Sequence, residues 1–335
     1  MATMRSALVG ILAAVSACAG VVSPAAGAET TVLKLGNVQA PGAVVQKGLQ
    51  RFAELVKERT GGALEIQIFP ASQLGTEQEI LEGVQLGTIA MYEGSAAADG
   101  RFLPQLEGLA CLFLWRDATS MVAAVRGPVG DELSRALLDK RGMRILDSGW
   151  VFGVRHLTTT KTPVRSPADM RGLKVRVQPD AIYLATVRAM GGSPTPIDAK
   201  EVYTSLQTGV VDGQENPISN IYQRKYHEVQ KYLVLTGHIT QNQVIVIGEA
   251  VYRRLTPEQQ GILTTAAREA GDHQNELVAV AEAEDLGRLK AGGMEVVEPD
   301  VAAFRAAAAD VCRDPAIGAK LGEGFYERLV AAAGR

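Results

Sequence analysis

Arg176 is the side chain in this sequence best placed to hold an anion. It lies in GLKVRV, residues 172–177, where Leu173, Val175 and Val177 alternate with Lys174, Arg176 and Gln178. A period of two makes a half-buried strand and puts Arg176 on the face opposite the apolar one. A guanidinium offers a planar fork that matches both oxygens of a carboxylate, which a lysine ammonium does not. Beyond the strand, Pro179 ends the ladder, residues 181–190 are apolar at helical spacing, and Gly191-Gly192 turns the chain. Asp198 with Glu201 three residues later is the pattern of a capping box, with Val202 and Leu206 on the buried side of its helix. Gly209 stops that helix, Val210 and Val211 start a short strand, and Asp212-Gly213 turns it toward Glu215-Asn216-Pro217. Such a strand-helix-helix-strand unit brings Arg176 and Asn216 to one end of a small sheet. The chemistry on offer is carboxylate capture, although a strand arginine read alone is an ordinary exposed residue.

Catalytic and metal-binding patterns do not compete with that reading. His156, His227, His238 and His273 show no i, i+4 pairing and no carboxylate at metal-ligand spacing. No Gly-x-Gly-x-x-Gly, Gly-x-Ser-x-Gly or phosphate-loop motif occurs. The expectation is a binding protein, not an enzyme, with no cofactor and no metal.

The elements that would position these groups fit a chain of 335 residues, long enough for two domains with sizeable cores. Residues 1–28 read as a secretory signal: Arg5, an apolar run over 7–22, and Ala26-Gly27-Ala28 as a small-x-small cleavage site. Val15-Ser16-Ala17-Cys18 offers a rival, a lipoprotein site that would tether the protein through Cys18. The whole chain carries 34 basic and 37 acidic side chains, and losing Arg5 with the leader takes its net charge from −3 to −4. That balance argues against nucleic acid or an anionic membrane face as partner, but not against an anion in a local pocket. Cys111 and Cys312, far apart in sequence, are expected to be unpaired buried thiols.

After the leader, residues 31–37 alternate as a strand, and Pro41-Gly42 leads into a helix with Val45, Leu49, Phe52 and Val56 on one side. Leu64, Ile66 and Ile68 make a second strand. Thr76 with Glu79 caps a helix ending at Gly87, and a third strand runs through Ile89 and Met91. This βαβαβ order calls for a parallel sheet with helices on both faces. A helix near 119–139 and a strand near 143–147 complete a first lobe; the second runs to about Thr240, after which QVIVI at 243–247 is a further strand. Pro257 opens a helix with no further proline before Gly292-Gly293, some 35 residues or about 50 Å, longer than one lobe is wide. Gly261, Gly271 and Gly287 are the places it could break. The tail over 300–335 is Ala-rich helix.

The central run resembles the solute-binding proteins of TRAP transporters, tripartite periplasmic carriers of organic acids. The matching pieces are LKVRV, GGSPTP ending at Pro196, EVYTSLQTGVVDGQENP and YHEVQKYLVLTGHI, with FPASQLGTEQEILEGVQLG, GVRHLTT and SPADMRGLKVRV elsewhere. The similarity covers nearly the whole mature chain in order. It implies an α/β, two-lobed periplasmic-binding-protein fold, each lobe a mixed sheet flanked by helices, with the long helix spanning both. Lobe I would comprise 29–152 plus 242–281 and lobe II 153–241 plus 282–335. It implies a periplasmic monomer that passes a small-molecule carboxylate to TRAP membrane permease subunits. The same fold could instead report its ligand to a receptor.

The resemblance also assigns roles. Arg176 takes the ligand carboxylate, Arg155 in WVFGVR (150–155) stands beside it, and Asn216 donates an amide hydrogen bond. Arg155 could instead pair with Asp147 or Glu215, and Asn216 could simply form a turn before Pro217. Glu77 matches a position that contacts ligand hydroxyls, or is a helix-start acid favoured by the dipole. Asn37, Gln39 and Ser95 sit at strand ends where crevice ligands bind. Asp180 could accept from a hydroxyl or cap the following helix, and Trp150, Phe152 and Tyr203 could wall the pocket or lie in the core. Ala199, Ser95, and Val38 or Pro179 depart from the sialic-acid-binding branch, so the ligand is expected to be another acid: a sugar acid, a dicarboxylate, or a hydroxy or aromatic carboxylate.

Overall fold

A computed structural model describes residues 30–334. The leader, its cleavage site and Cys18 lie outside the described residues. Nine strands are found among those described: β1 (Thr31–Gly36), β2 (Leu64–Phe69), β3 (Met91–Ser95), β4 (Met143–Thr159), β5 (Lys174–Val177), β6 (Ser193–Pro196), β7 (Gly213–Pro217), β8 (Tyr232–Gly248) and β9 (Glu295–Val297). They form one mixed sheet in the order β2-β1-β3-β8-β4-β7-β5-β6, with β9 also on β8. β1 is parallel to both β2 and β3, as the βαβαβ pattern requires. The α/β class holds.

β4 and β8 are the spine. Each is 17 residues long, and they run antiparallel along their whole length, Met143 opposite Gly248 and Thr159 opposite Tyr232. β3 pairs with residues 243–247 of β8, whereas β7 pairs with residues 155–159 at the other end of β4. The short strands expected at 143–147 and 243–247 are therefore the ends of two strands that cross the molecule. The middle of β8 breaks apolar periodicity because Thr236, His238, Gln241, Asn242 and Gln243 are polar and buried.

The ladder between them slips at four places, including Asp147/Trp150 and Val151/Gly153. Bulges leave backbone groups unpaired and bend a strand. The helix Pro257–Ala291 supplies the missing partners: Asn275 Oδ1 accepts from Val151 N at 2.7 Å and Glu282 Oε1 from Val154 N at 3.1 Å. Gln274 Nε2 donates to Val151 O at 2.8 Å. Gly153 sits here with φ +131°, and a side chain at this position would run into the Glu282 carboxylate.

That helix keeps its expected 35 residues, capped by Thr256 and Gln259 with Pro257 in its first turn. It buries Leu263, Ala266 and Ala267 against Leu35, Phe52 and Ile245, and Leu289 against Val202, Ile221 and Leu233. Its glycines do not break it: Gly261 and Gly287 face open space, and Gly271 makes room for the Trp150 indole. The expected helix at 119–139 is instead two, Ala118–Val125 and Pro128–Arg141, because Pro128 starts a new helix after Gly127. The tail folds as three short helices, Val301–Ala307, Pro315–Leu321 and Phe325–Ala332.

Cys111 and Cys312 are disulfide-bonded, with Cα atoms 6.1 Å apart. This corrects the expectation of free thiols: 201 residues of sequence separate them, but the tail packs Ile317, Leu321, Phe325 and Leu329 onto the Leu106–Leu109 turn beside Cys111. Replacing both cysteines by alanine is expected to cost about 2–4 kcal/mol through the freed unfolded chain. Thermal melts of the two proteins test it; identical midpoints would mean that the bond does not form.

Candidate functional site

Val175 and Val177 of β5 are fully buried in the core, so Arg176 faces the other way. It is nevertheless only 3% exposed, because it looks into a polar slot and not into solvent. Its Nε donates to Ile197 O at 2.8 Å, and no carboxylate of the described residues lies within ion-pair distance. Burial pulls its pKa below the usual value; Tyr226 and Glu215 oppose that pull, while Arg155 and Arg224 add to it. A guanidinium stays charged in a protein, so this is a desolvated cation whose terminal nitrogens make no hydrogen bond to the described residues.

The slot is lined by Arg176, Asn216, Glu77, Gln39, Ser95 and Phe152 of the residues singled out above. Asn216 Nδ2 is held by Gln214 Oε1 at 2.6 Å. Glu77 opens the helix Glu77–Leu86 behind a Thr76–Glu79 capping box; one carboxylate oxygen accepts from the Tyr92 hydroxyl and the other from Gln178 Nε2 at 3.4 Å. Burial raises its pKa, with Tyr92 working against that rise. Ser95 Oγ lies 3.2 Å from Tyr183 Oη.

Five others stand elsewhere. Arg155 is fully buried, and its fork closes on Glu215: Nη2 donates to Oε1 at 2.7 Å, Nε to Oε2, and Nη1 to Gln241 Oε1. The pairing with Glu215 is the one realised, which leaves no fork for a ligand. Asn37 Oδ1 accepts from Gln39 N and Gln46 Nε2, each at 2.9 Å, and so fixes the loop that carries Gln39. Asp180 is buried beside Arg101, its carboxyl pushed up to about 7 by burial and then by Glu77. Trp150 lies in the core with its indole N–H on Ala267 O at 3.1 Å, and Tyr203 donates to Glu228 at 2.7 Å, outside the slot lining.

Beneath Arg176 the charge is balanced. Burial would raise Glu215, but Arg155 and the His238 hydrogen bond outweigh it and hold the carboxyl at about 2. Thr236 Oγ1 fixes the His238 ring at 2.7 Å.

Several lining residues were not foreseen: Gln178, Lys200, Asn220, Arg224, Tyr226 and Gln241. Asn220 and Arg224 had a signal, since they lie four apart along the helix Ile218–Gln223 and its cap and so share a face. The slot thus gathers Arg176, Arg224 and Lys200 against Glu77 and Asp198, a local positive excess in a chain of net negative charge. The slot is a narrow cavity of about 30 Å³ between two walls. They touch directly where Asn220 Nδ2 donates to Gln39 Oε1 at 3.3 Å and Arg224 Nη2 to Val38 O at 2.6 Å. No group of His, Cys, Asp and Glu suited to a metal ion occurs among the described residues.

Residues 35–317 match the model of the bacterial extracellular solute-binding proteins, family 7. The 2,3-diketo-L-gulonate-binding periplasmic protein of Escherichia coli K12 is 36% identical over 79% of this chain and 80% of its own. A TRAP periplasmic solute-binding protein from Actinobacillus succinogenes, solved with L-galactonate, superposes with a TM-score of 0.86 at 32% identity, covering 91% of this chain and 99% of that one. Another from Polaromonas, bound to D-erythronate, gives 0.84 at 33% identity over 90% and 98%.

Proposed function

Because the chain belongs to family 7 of the bacterial extracellular solute-binding proteins, the binding subunits of TRAP transporters, we propose that its slot captures a polyhydroxylated monocarboxylate, a sugar acid of about four to six carbons. The observation that carries this is Arg176, a buried cation with an open fork in a slot of hydrogen-bonding side chains. The ligand carboxylate docks on that fork, with Asn216 beside it. Glu77, Gln178, Gln39 and Asn220 then match hydroxyls along the rest of the molecule. The acids bound by the three relatives named above are of this class.

The two lobes, 29–152 plus 242–281 and 153–241 plus 282–335, close around the ligand by bending at the bulges of β4 and β8. Closure is driven only by contacts that exist in the closed state. The closed form then delivers the acid to the permease. Export through a leader cleaved after Ala28 is part of the same proposal, and no helix among the described residues is long and apolar enough to cross a membrane.

A thermal-shift screen of residues 29–335 against sugar acids, dicarboxylates and the uncharged amides of each tests the reading. A ligand at 100 times its dissociation constant stabilises the fold by about 2.7 kcal/mol. Sugar acids should raise the melting temperature while their amides leave it unchanged. A shift confined to dicarboxylates, or equal shifts by acid and amide, overturns the proposal.

A further inference from the structure

The helix Pro257–Ala291 serves the bulges of β4 with the amides of Gln274 and Asn275 at Val151, but at Val154 it uses an acid. Glu282 Oε1 accepts from Val154 N at 3.1 Å. Val154 lies two residues past Phe152 on the slot wall and next to the arginine that is closed on Glu215. The same oxygen packs against Gly153: a Cβ built there would overlap it and would lie 2.9 Å from Pro217 Cβ. Pro217 follows Asn216, another slot residue, and is paired with Arg155 across β4 and β7. One carboxylate is thus wedged where the strands that carry Phe152 and Asn216 come together.

An amide would satisfy Val154 N without burying a charge. Glu282 lines a groove of about 610 Å³ with Val122, Val151, Val278 and Ala279, and its Oε2 makes no hydrogen bond to the described residues. The cations on that groove are Arg126, engaged by Asp147 and Asp272, and Arg268; neither pairs with Glu282. Arg155, beside Val154, is taken by Glu215, and Asp285, three residues along the helix, is taken by Arg288. Burial pushes the Glu282 carboxyl up to about 7, with the Val154 bond working against that rise. We propose that Glu282 is a positioning residue for the slot: through Val154 N and the Gly153–Pro217 contact, its carboxylate holds Phe152 and Asn216 where a ligand meets them. This role rests on the sugar-acid reading and adds a residue outside the lining that sets how well the lining fits. A carboxylate is a stronger acceptor than its acid, so the slot fits best when Glu282 is ionised.

Ionisation acts in opposite directions on fold and on binding, which separates positioning from mere support. A carboxyl raised above its unfolded value near 4.3 gives stability at low pH that is lost as pH rises through about 7. Relative to Glu282→Gln, the ligand-free wild type should therefore lose melting temperature between about pH 5.5 and about pH 8.5. Its affinity should move the other way. Calorimetric titration with L-galactonate and D-erythronate should give the two proteins equal dissociation constants near pH 5.5 and a wild-type advantage of about three- to tenfold near pH 8.5. The ligand carboxylate and Arg176 keep their charges over this range. Asp180 and Glu77, whose carboxyls burial also raises, are common to both proteins and cancel in the comparison. Glu282→Ala leaves Val154 N without its partner and should bind about tenfold more weakly than wild type near pH 8.5; if it melts as an unfolded chain, the glutamine comparison decides alone. Parallel affinity profiles for wild type and Glu282→Gln, an advantage that falls with pH as the melt does, or a folded alanine variant that binds like wild type each overturn the role and leave the sugar-acid reading intact. If neither probe nor any acid of the melt screen binds a wild type that is folded, the sugar-acid reading falls, and this role with it.

Discussion

Replacing Arg176 by alanine is expected to remove high-affinity binding and leave the ligand-free fold as stable as before. Arg176 is 3% exposed, carries one hydrogen bond to Ile197 O and has no paired carboxylate. Without ligand it is a desolvated charge held at a cost, so its removal relieves strain on the empty protein. On the proposed reading it supplies the bidentate half of the ligand contact. Truncating one partner of a buried charge pair costs about 2–5 kcal/mol, a loss of roughly thirty- to several-thousandfold in affinity. Arg176→Lys should fall between, since a point charge remains but the fork is gone. Calorimetric titration and thermal melts of the three proteins separate these quantities. An alanine variant that binds as tightly as wild type would move the site away from β5.

How much of this was readable before folding follows from the range of each interaction. The capping box at Thr76 and Glu79, the proline start at Pro257 and the alternation around Arg176 are local, and each element formed where the residues placed it. The strand predicted from Val210 and Val211 begins instead at Gly213, where a Cβ would press on Thr158 O of β4. That constraint belongs to a neighbour 55 residues away and leaves no mark on the dipeptide. The extent of β4 and β8 was hidden for a related reason. The middle of β8 buries His238, Gln241, Asn242 and Gln243, so the apolar rhythm that marks a strand is missing there. Cys111 and Cys312 meet only through the docking of the tail, and Arg224 meets Val38 O only by crossing from one wall to the other. Arg155 is the most instructive of these. The motif around it marked an arginine beside the ligand, and folding closes its fork on Glu215.

That placement makes a second large effect of the opposite kind: Arg155→Ala should cost mainly stability. The Arg155 and Glu215 side chains are 0% and 1% exposed, so truncating the arginine leaves a carboxylate stranded in the interior. Breaking such a pair costs about 3–5 kcal/mol. The double variant Arg155→Met with Glu215→Met should recover most of that loss, because no buried charge then remains. The pH dependence carries a distinct sign. In the wild type, Arg155 and His238 hold Glu215 at about 2 against the opposing effect of burial, below its unfolded value near 4.3. Its contribution is therefore present above the unfolded pKa and is lost as pH falls through about 2. In Arg155→Ala burial acts without its main opponent, so the carboxyl titrates higher and protonation relieves the stranded charge. The stability gap between variant and wild type should thus be widest near pH 7 and narrow toward pH 4, as read by denaturant unfolding at both. A gap that is constant with pH would mean that the alanine acts through a cavity and not through Glu215. Arg176→Ala should show no such convergence, because Arg176 forms no ion pair among the described residues, and the contrast tells the two arginines apart.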